Sequence, residues 1–307
     1  RWGRLRAERQ VRGHACLPLA MVVMKTAPPS LRPALCYVAF AVALSWSYWG
    51  LLLALGLRVD AAGVGAHPGV THLPGLLGPV VAAILTARWY GGPGAGWALL
   101  RRAFTRWPRP AFRGWLLALS PLIAGALLWL IWYALGREMP PAAAFWHFPG
   151  LPAQWGPVAV VLAVVCVNGL GEELGWRGYL GEVLSQRFSR WSATCWVAAV
   201  WMAWHAPLFW LNASMAAMVG PMLLGWALGL ACGAFVLAQV HEWSGRCVAV
   251  VALWHAAYNL VVATEAGHGA MATVLSAGVM VWGCTTAAVW WRQRRRDGVN
   301  QSDSRVA

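Results

Sequence analysis

The chain has 307 residues, of which 60% are hydrophobic and 11% are charged, and its formal net charge is +14. Soluble domains carry about 25% charged residues, so this composition excludes a soluble globular protein and predicts a multi-pass protein of the cell membrane, in contact with lipids. The positive charge does not indicate nucleic acid as a partner, because the arginines lie in loops and tails, where they act as topology signals. The seven cysteines are scattered without a C-x-x-C pair, which argues against a disulfide framework and a cysteine metal site.

The charge and hydropathy patterns divide the chain into three predicted regions. Residues 1–33 are rich in arginine and are expected to be a basic cytoplasmic tail or to include sequence before the true start, since Met21 and Met24 are alternative starts. Residues 34–292 are predicted to form the membrane domain, with residues 155–264 as its catalytic core. Residues 293–307 are predicted to form a basic and polar cytoplasmic tail.

Apolar stretches long enough to cross a membrane predict an all-α polytopic fold, since a spanning helix needs about 20 residues. Eight such stretches occur, at residues 34–57, 72–90, 112–136, 155–180, 191–211, 215–240, 246–264 and 269–291. Residues 97–107 are predicted to form an amphipathic helix on the membrane surface, with an ordinary basic loop as the alternative. Basic residues alternate from loop to loop, so both termini are expected in the cytoplasm.

Two carboxylates and a guanidinium interrupt the fourth stretch, at Glu172, Glu173 and Arg177. Ionisable groups at membrane depth are costly, and for that reason they are usually paired and functional. On a helix Glu173 and Arg177 share a face as i and i+4, whereas Glu172 lies about 100° around the axis. We expect Arg177 to neutralise Glu173 and to leave Glu172 as a general base. The alternative is a charge-balanced helix end without chemistry.

Two histidines in later apolar stretches are candidates for the same site. His205 shares a helical face with Trp201, and His255 shares one with Asn259. Either histidine alone is more typical of a packing residue than of a catalyst. Counted from the cytoplasmic ends at 1.5 Å per residue, however, Glu172, His205 and Asn259 all lie about 20 Å deep, and His255 about 14 Å deep. This common depth predicts one shared site. His72, in contrast, is expected at the membrane interface.

These residue types allow two hydrolytic schemes. Glu172 could take a proton from a water that His205 also holds, while His255 and Asn259 stabilise the oxyanion. Alternatively, Glu172, His205 and His255 could be the three ligands of a catalytic divalent metal such as zinc, with an open position for water. The residues alone do not decide between the two schemes.

The motifs Glu172-Glu173-x-x-x-Arg177, aromatic-x-x-x-His at 201–205 and His255-x-x-x-Asn259, in this order, resemble the CPBP intramembrane proteases. This family includes the CAAX proteases and the bacteriocin-processing enzymes. The resemblance covers about residues 72–264, and Trp201 stands where the family motif usually has Phe. It implies about eight helices, a buried Glu/His/His/Asn site and cleavage of a peptide or lipidated-protein substrate near the membrane.

By this resemblance, Glu172 is the base, His205 is its water partner, and His255 with Asn259 forms the oxyanion group. Glu173 and Arg177 would be structural support. The resemblance leaves the choice between a glutamate and a metallo mechanism open. The alternative function is a non-catalytic membrane immunity or scaffold protein of the same fold. A proton-coupled transporter is disfavoured, because the sequence shows no inverted repeat.

Overall fold

The computed structural model describes residues 30–59 and 71–303 of the chain, with side chains up to residue 297. Most of the predicted N-terminal tail therefore lies outside the described residues. Helices account for the regular structure of the described part, and a single isolated bridge joins Val59 to Asn212 there. The predicted all-α class of a polytopic membrane protein is confirmed.

The helices are numbered here in chain order. Their bounds are α1 Arg32–Ala54, α2 Leu73–Gly91 (interrupted at Leu77), α3 Ala95–Thr105, α4 Ala111–Ala118, α5 Ser120–Ala134, α6 Pro157–Leu184, α7 Arg190–Trp204, α8 Leu208–Leu211, α9 Ala213–Ala216, α10 Pro221–Trp243, α11 Val248–Val262 and α12 Ala270–Asp303. A short 3-10 turn, Ala142–Phe145, lies between α5 and α6.

The helix lengths leave the number of membrane crossings open. Among the described residues, α1, α2, α6, α10 and α12 are long and apolar enough to span, and α4 with α5 makes a sixth candidate as one span bent by 56°. Helices α7 and α11 have 15 residues each, fewer than the roughly 20 that a straight crossing needs. The predicted fifth stretch is thus not one helix, because α7 ends at Trp204. The eight crossings and the cytoplasmic termini stay predictions.

Two other stretches differ in extent from their predictions. The predicted amphipathic helix at residues 97–107 is α3, which buries Leu99 and Ala103 and exposes Trp97 and Phe104. Its position on a membrane surface stays a prediction. Helix α12 continues to Asp303, well past the predicted end of the last span and into the predicted tail.

Helix α6 is the element that positions the site, and it is not a uniform α-helix. Two π-helical segments, Val164–Gly171 and Trp176–Gly181, flank the α-helical turn Glu172–Gly175. π-helical segments are rare in proteins, and those that occur are often found at functional sites. The first π segment packs against α11, and the turn that carries the two glutamates packs against α2. The site is therefore built around an irregular helix in the interior.

Two glycines allow α6 to approach its neighbours closely. A Cβ atom at Gly169 would lie 2.5 Å from the carbonyl oxygen of Ala252 in α11. At Gly175 it would lie 2.4 Å from the Tyr37 hydroxyl and 2.7 Å from the Pro79 Cβ. Both distances are shorter than van der Waals contact, so a side chain at either position would push the helices apart.

We expect Gly169→Ala to destabilise the protein by about 1–3 kcal/mol, because the new methyl group collides with backbone that cannot move freely. The matched control is Gly278→Ala in α12, where a Cβ meets nothing within 4 Å. That change should be neutral or slightly stabilising, since Ala favours the helix over Gly. Thermal unfolding of both variants in detergent, followed by tryptophan fluorescence, checks the difference. Equal midpoints would contradict the close approach of α6 to α11.

Candidate active site

A cavity of about 720 Å³ lies beside the irregular part of α6. Glu172, His205, His255 and Asn259, the four side chains proposed from the sequence to carry the chemistry, all line it. They come from α6, from the residue that follows α7, and from α11. The structure therefore brings the predicted set to one cavity, although the roles of the four residues stay predictions.

Glu172 is 3% exposed, and one of its oxygens is held in place. The Trp201 indole Nε1–H donates to Glu172 Oε2 at 2.7 Å. The other carboxylate oxygen receives no hydrogen bond from the part of the chain that the structure describes. Glu172 is thus oriented by one bond and keeps an acceptor for a water or a substrate.

Glu173 joins α6 to α11 through a buried hydrogen-bond network. Its Oε1 accepts from Arg177 Nη1 at 2.9 Å and from His255 Nδ1 at 2.8 Å, and Glu173 is 0% exposed. The predicted i,i+4 pair with Arg177 is present, but the bond to His255 was not predicted. An ionised carboxylate only accepts, so Nδ1 of His255 carries a proton and Nε2 is left for other partners.

His205 is oriented by the backbone of α7. Its Nδ1 lies 2.7 Å from the carbonyl oxygen of Trp201, one turn earlier. A carbonyl oxygen accepts only, so Nδ1 is again the protonated nitrogen and Nε2 is available. The partner of His205 is a neutral group, whereas the partner of His255 is a carboxylate. This difference gives the two imidazoles different chemical properties.

Trp201 occupies the centre of the site. Its ring centroid lies 5.8 Å from that of His205 and 5.7 Å from that of His255. The guanidinium carbon of Arg177 lies 4.7 Å from the Trp201 ring centroid, within the range of a cation–π contact. One indole therefore orients the candidate base and packs against both histidines. The aromatic residue of the motif could be found from the sequence, but its hydrogen bond to Glu172 could not.

Two further polar residues of the cavity wall were not recognised as site residues from the sequence. His72, expected at the membrane interface, lines the cavity and is 8% exposed. Asn168, four residues before Glu172, lines it as well. The spacing of Asn168 from Glu172 was a usable signal, whereas the position of His72 depends on how α2 packs against α6.

The alternative of a three-ligand metal centre is not supported by the arrangement of the donors. Within the described ranges, no group of three or more His, Cys, Asp or Glu side chains is placed to hold a metal ion. One oxygen of Glu172 is also engaged by the Trp201 indole. The residues present therefore do not fit such a centre, and the mechanism proposed below uses none.

Comparison with known proteins relates the part of the chain that carries the candidate residues to a protein family. Residues 154–261 match the sequence model of the family described as Type II CAAX prenyl endopeptidase Rce1-like. The chain carries a CPBP-type, Rce1-like domain. All four candidate catalytic residues and the Glu173–Arg177 pair lie within this Rce1-like domain.

One curated relative supports the same assignment. The CAAX prenyl protease 2 of Methanococcus maripaludis is 39% identical to the chain over 54 residues. The aligned segment covers 18% of this chain and 20% of the relative, so the chain matches about one fifth of that protein's length.

The Glu173–Arg177 pair should contribute far more to stability than a surface pair does. We expect Arg177→Gln to destabilise the protein by about 3–5 kcal/mol, because it leaves the buried Glu173 charge without its cation. The control is Arg246→Gln, which breaks a pair with Glu182 whose arginine side chain is 54% exposed. That change should cost about 0–1 kcal/mol. Unfolding midpoints of the two variants, measured in the same detergent, should differ clearly, and similar midpoints would argue against a structural role of the pair.

Proposed function

We propose that the chain is an intramembrane endopeptidase in which Glu172 activates a water molecule. The observation that carries this proposal is the pattern of hydrogen bonds made by the acid and the two histidines that line the cavity. A buried carboxylate with one free oxygen shares the cavity with two imidazoles, each of which has Nδ1 engaged and Nε2 available. The similarity to CAAX prenyl endopeptidases supports hydrolysis as the reaction class.

The first step is attack of water on the carbonyl carbon of the peptide bond. Glu172 takes a proton from this water through its free oxygen. His205 Nε2 accepts a hydrogen bond from the other O–H of this water. Nε2 is free to do so because Nδ1–H donates to the Trp201 carbonyl oxygen. The two acceptors together orient the water, and a tetrahedral intermediate with a negatively charged oxygen forms.

The second element is stabilisation of this oxyanion. Glu173 accepts from Nδ1 of His255 and so stabilises its imidazolium form, in which Nε2–H donates to the oxyanion. The amide of Asn259, one turn further along α11, supplies another donor. As the intermediate collapses, Glu172 returns its proton to the leaving amine nitrogen, which completes the hydrolysis. Glu173 is thus a positioning residue for His255.

The cavity wall supports a substrate with an apolar segment close to the cleaved bond. Its described lining is largely apolar and includes Met215, Met218, Met222 and Trp226. Methionine side chains adapt to varied apolar shapes. We infer a peptide substrate attached to the membrane, such as a lipidated protein, reached from the lipids of the cell membrane. The matching family of CAAX prenyl endopeptidases and the relative named CAAX prenyl protease 2 agree with this substrate class.

Replacement of Glu172 is the direct test of the mechanism. We expect Glu172→Gln and His205→Ala to lower kcat for a lipidated peptide by about 10²–10⁴-fold, the usual contribution of a general base or its partner. Cleavage by purified protein in liposomes, read by mass spectrometry of the products, measures this. Glu182→Gln on the same helix, outside the cavity, serves as control and should retain activity. Full cleavage by both site variants would overturn the assignment of Glu172 and His205, whereas no cleavage by the wild-type protein would support a non-catalytic scaffold.

Metal removal tests the alternative scheme. We expect protein dialysed against a chelator to keep its full cleavage rate, because the described donors do not converge on one point. The metal content of the same sample should be measured by elemental analysis, so that activity is compared with occupancy. Activity that is lost on chelation and restored by stoichiometric zinc would overturn the metal-free mechanism.

A further inference from the structure

We propose that three glycines of α10 make room for a bulky apolar side chain of the substrate close to the cleaved bond, and so determine which substrates are cleaved. The three are Gly225, Gly229 and Gly233, called here the glycine face of α10. This inference rests on the proposed function, since it assumes a peptide in the cavity that Glu172 lines. It concerns specificity and adds no step to the reaction.

The glycine face lies along the wall of the active-site cavity. Gly225, Gly229 and Gly233 follow each other at i, i+4 spacing, which places them on one side of the helix, and all three line the cavity. The residues of α10 that line the cavity extend from Met222 to Leu237. At 1.5 Å per residue this stretch is about 22 Å long, so α10 borders the cavity over much of its length.

Open space lies in front of each glycine of this face. A Cβ atom added at Gly225, Gly229 or Gly233 would meet nothing within 4 Å. Gly225 is exposed, and the other two are partly exposed, so a ligand in the cavity can reach all three. The space that three side chains would otherwise fill is therefore part of the cavity.

The glycine face differs from the usual use of glycine in membrane helices. A G-x-x-x-G spacing normally lets two helices approach closely. Gly169 and Gly175 of α6 serve close approach here, since a Cβ at these positions would lie 2.5 Å and 2.4 Å from atoms of neighbouring helices. Gly229 has the G-x-x-x-G spacing but no helix against it among the described residues. Glycine in a helix interior is destabilising relative to alanine, so three of them on the cavity side indicate that the space itself is used.

The glycine face begins beside the histidine that is proposed to hold the water. Trp226 follows Gly225 and also lines the cavity, and its ring stands nearly perpendicular to that of His205, with the centroids 5.6 Å apart. Gly229 lies about 4.5 Å further along the axis of α10 than Trp226. An extended chain advances by about 3.3–3.6 Å per residue, so substrate side chains within about three residues of the cleaved bond can reach the glycine face.

The surroundings of the glycine face fit an apolar side chain of a short peptide segment. Leu230 and Leu237 line the cavity from α10 and Val279 lines it from α12, and its described lining includes no Lys, Arg or Asp. In the same cavity Glu172 is 3% exposed and keeps an oxygen without a hydrogen bond from the described residues, which points to a bound ligand. A volume of about 720 Å³ is in the range that encloses a drug-sized ligand, which corresponds to a few extended residues rather than a whole helix.

Pairs of peptides that differ in one side chain test the glycine face. The two peptides of a pair carry the same lipid group and have Leu or Ala at one position, which is moved over the three residues on either side of the cleaved bond. The ratio of kcat/KM for the Leu and Ala peptides is measured in liposomes. At the position that contacts the glycine face, we expect Gly229→Ala to lower this ratio by about 10-fold and Gly229→Leu by about 10²-fold, mainly through KM, because the added side chain fills the space of the substrate's Leu.

Gly278→Ala is the matched control, because Gly278 lies in the candidate spanning helix α12 and faces open space but is not among the residues that line the cavity. It should keep the wild-type ratio. Thermal unfolding separates specificity from packing. Gly229→Ala should keep or raise the unfolding midpoint, since its Cβ meets nothing and alanine favours a helix. A lowered midpoint with a wild-type ratio would assign Gly229 to helix packing and would overturn the inference. If Gly229→Leu fails to fold, the alanine variant is sufficient for the test.

Binding separates failure of this inference from failure of the proposed function. In the Glu172→Gln background, Gly229→Ala should weaken binding of the Leu peptide relative to the Ala peptide by the same factor, measured as Kd without turnover. Wild-type ratios at every position for both Gly225→Leu and Gly229→Ala would overturn the role of the glycine face. So would a loss that is equal for both peptides and varies with the length of the lipid group, because the face would then contact the lipid. Cleavage that does not depend on Glu172 would instead overturn the proposed mechanism and would leave the Kd comparison valid.

Discussion

The structure depends on one buried carboxylate, Glu173, which accepts hydrogen bonds from Arg177 in its own helix and from His255 in α11. Removing one partner from a buried ion pair costs several kcal/mol, because the other charge remains without compensation. The pair with Arg177 is local and would form in any regular helix. The bond to His255 is long-range and fixes which residue of α11 faces α6. The same contact thus sets the packing of two helices and determines which nitrogen of His255 carries a proton.

The two adjacent glutamates differ because α6 is irregular on both sides of them. Glu173 bonds to Arg177 in its own helix and to His255 in α11, whereas Glu172 contacts Trp201 and lines the cavity. In an α-helix successive side chains are rotated by about 100°, so two adjacent acids can point into two different environments. The flanking π segments and Gly169 bring this turn close to α11 and α2. One acid is therefore paired with a cation, and the other lies at the cavity with one oxygen free of hydrogen bonds from the described residues.

The parts of this arrangement that could be predicted from the sequence are those set by helical repeat and rise. The Glu173–Arg177 pair follows from i,i+4 spacing, and the similar depths counted at 1.5 Å per residue led us to expect Glu172, His205 and Asn259 at one cavity, where they lie. The π segments could not be predicted, since a shift in backbone hydrogen bonding leaves no mark on apolar periodicity. The position of His72 in the cavity wall was missed for a different reason. It depends on the parallel packing of α2 and α6, which no local pattern encodes.

The partners of the two histidines explain how one cavity can hold an acceptor and a donor of the same residue type. A neutral carbonyl on Nδ1 leaves His205 uncharged, so its Nε2 can accept a hydrogen from water. A carboxylate on Nδ1 favours the imidazolium of His255, so its Nε2–H can donate to a developing oxyanion. Exchanging the two partners would exchange the hydrogen-bonding capacities of the two imidazoles without moving either ring. The Glu173 carboxylate therefore determines which of the two imidazoles can be the donor, although it is not among the residues that line the cavity.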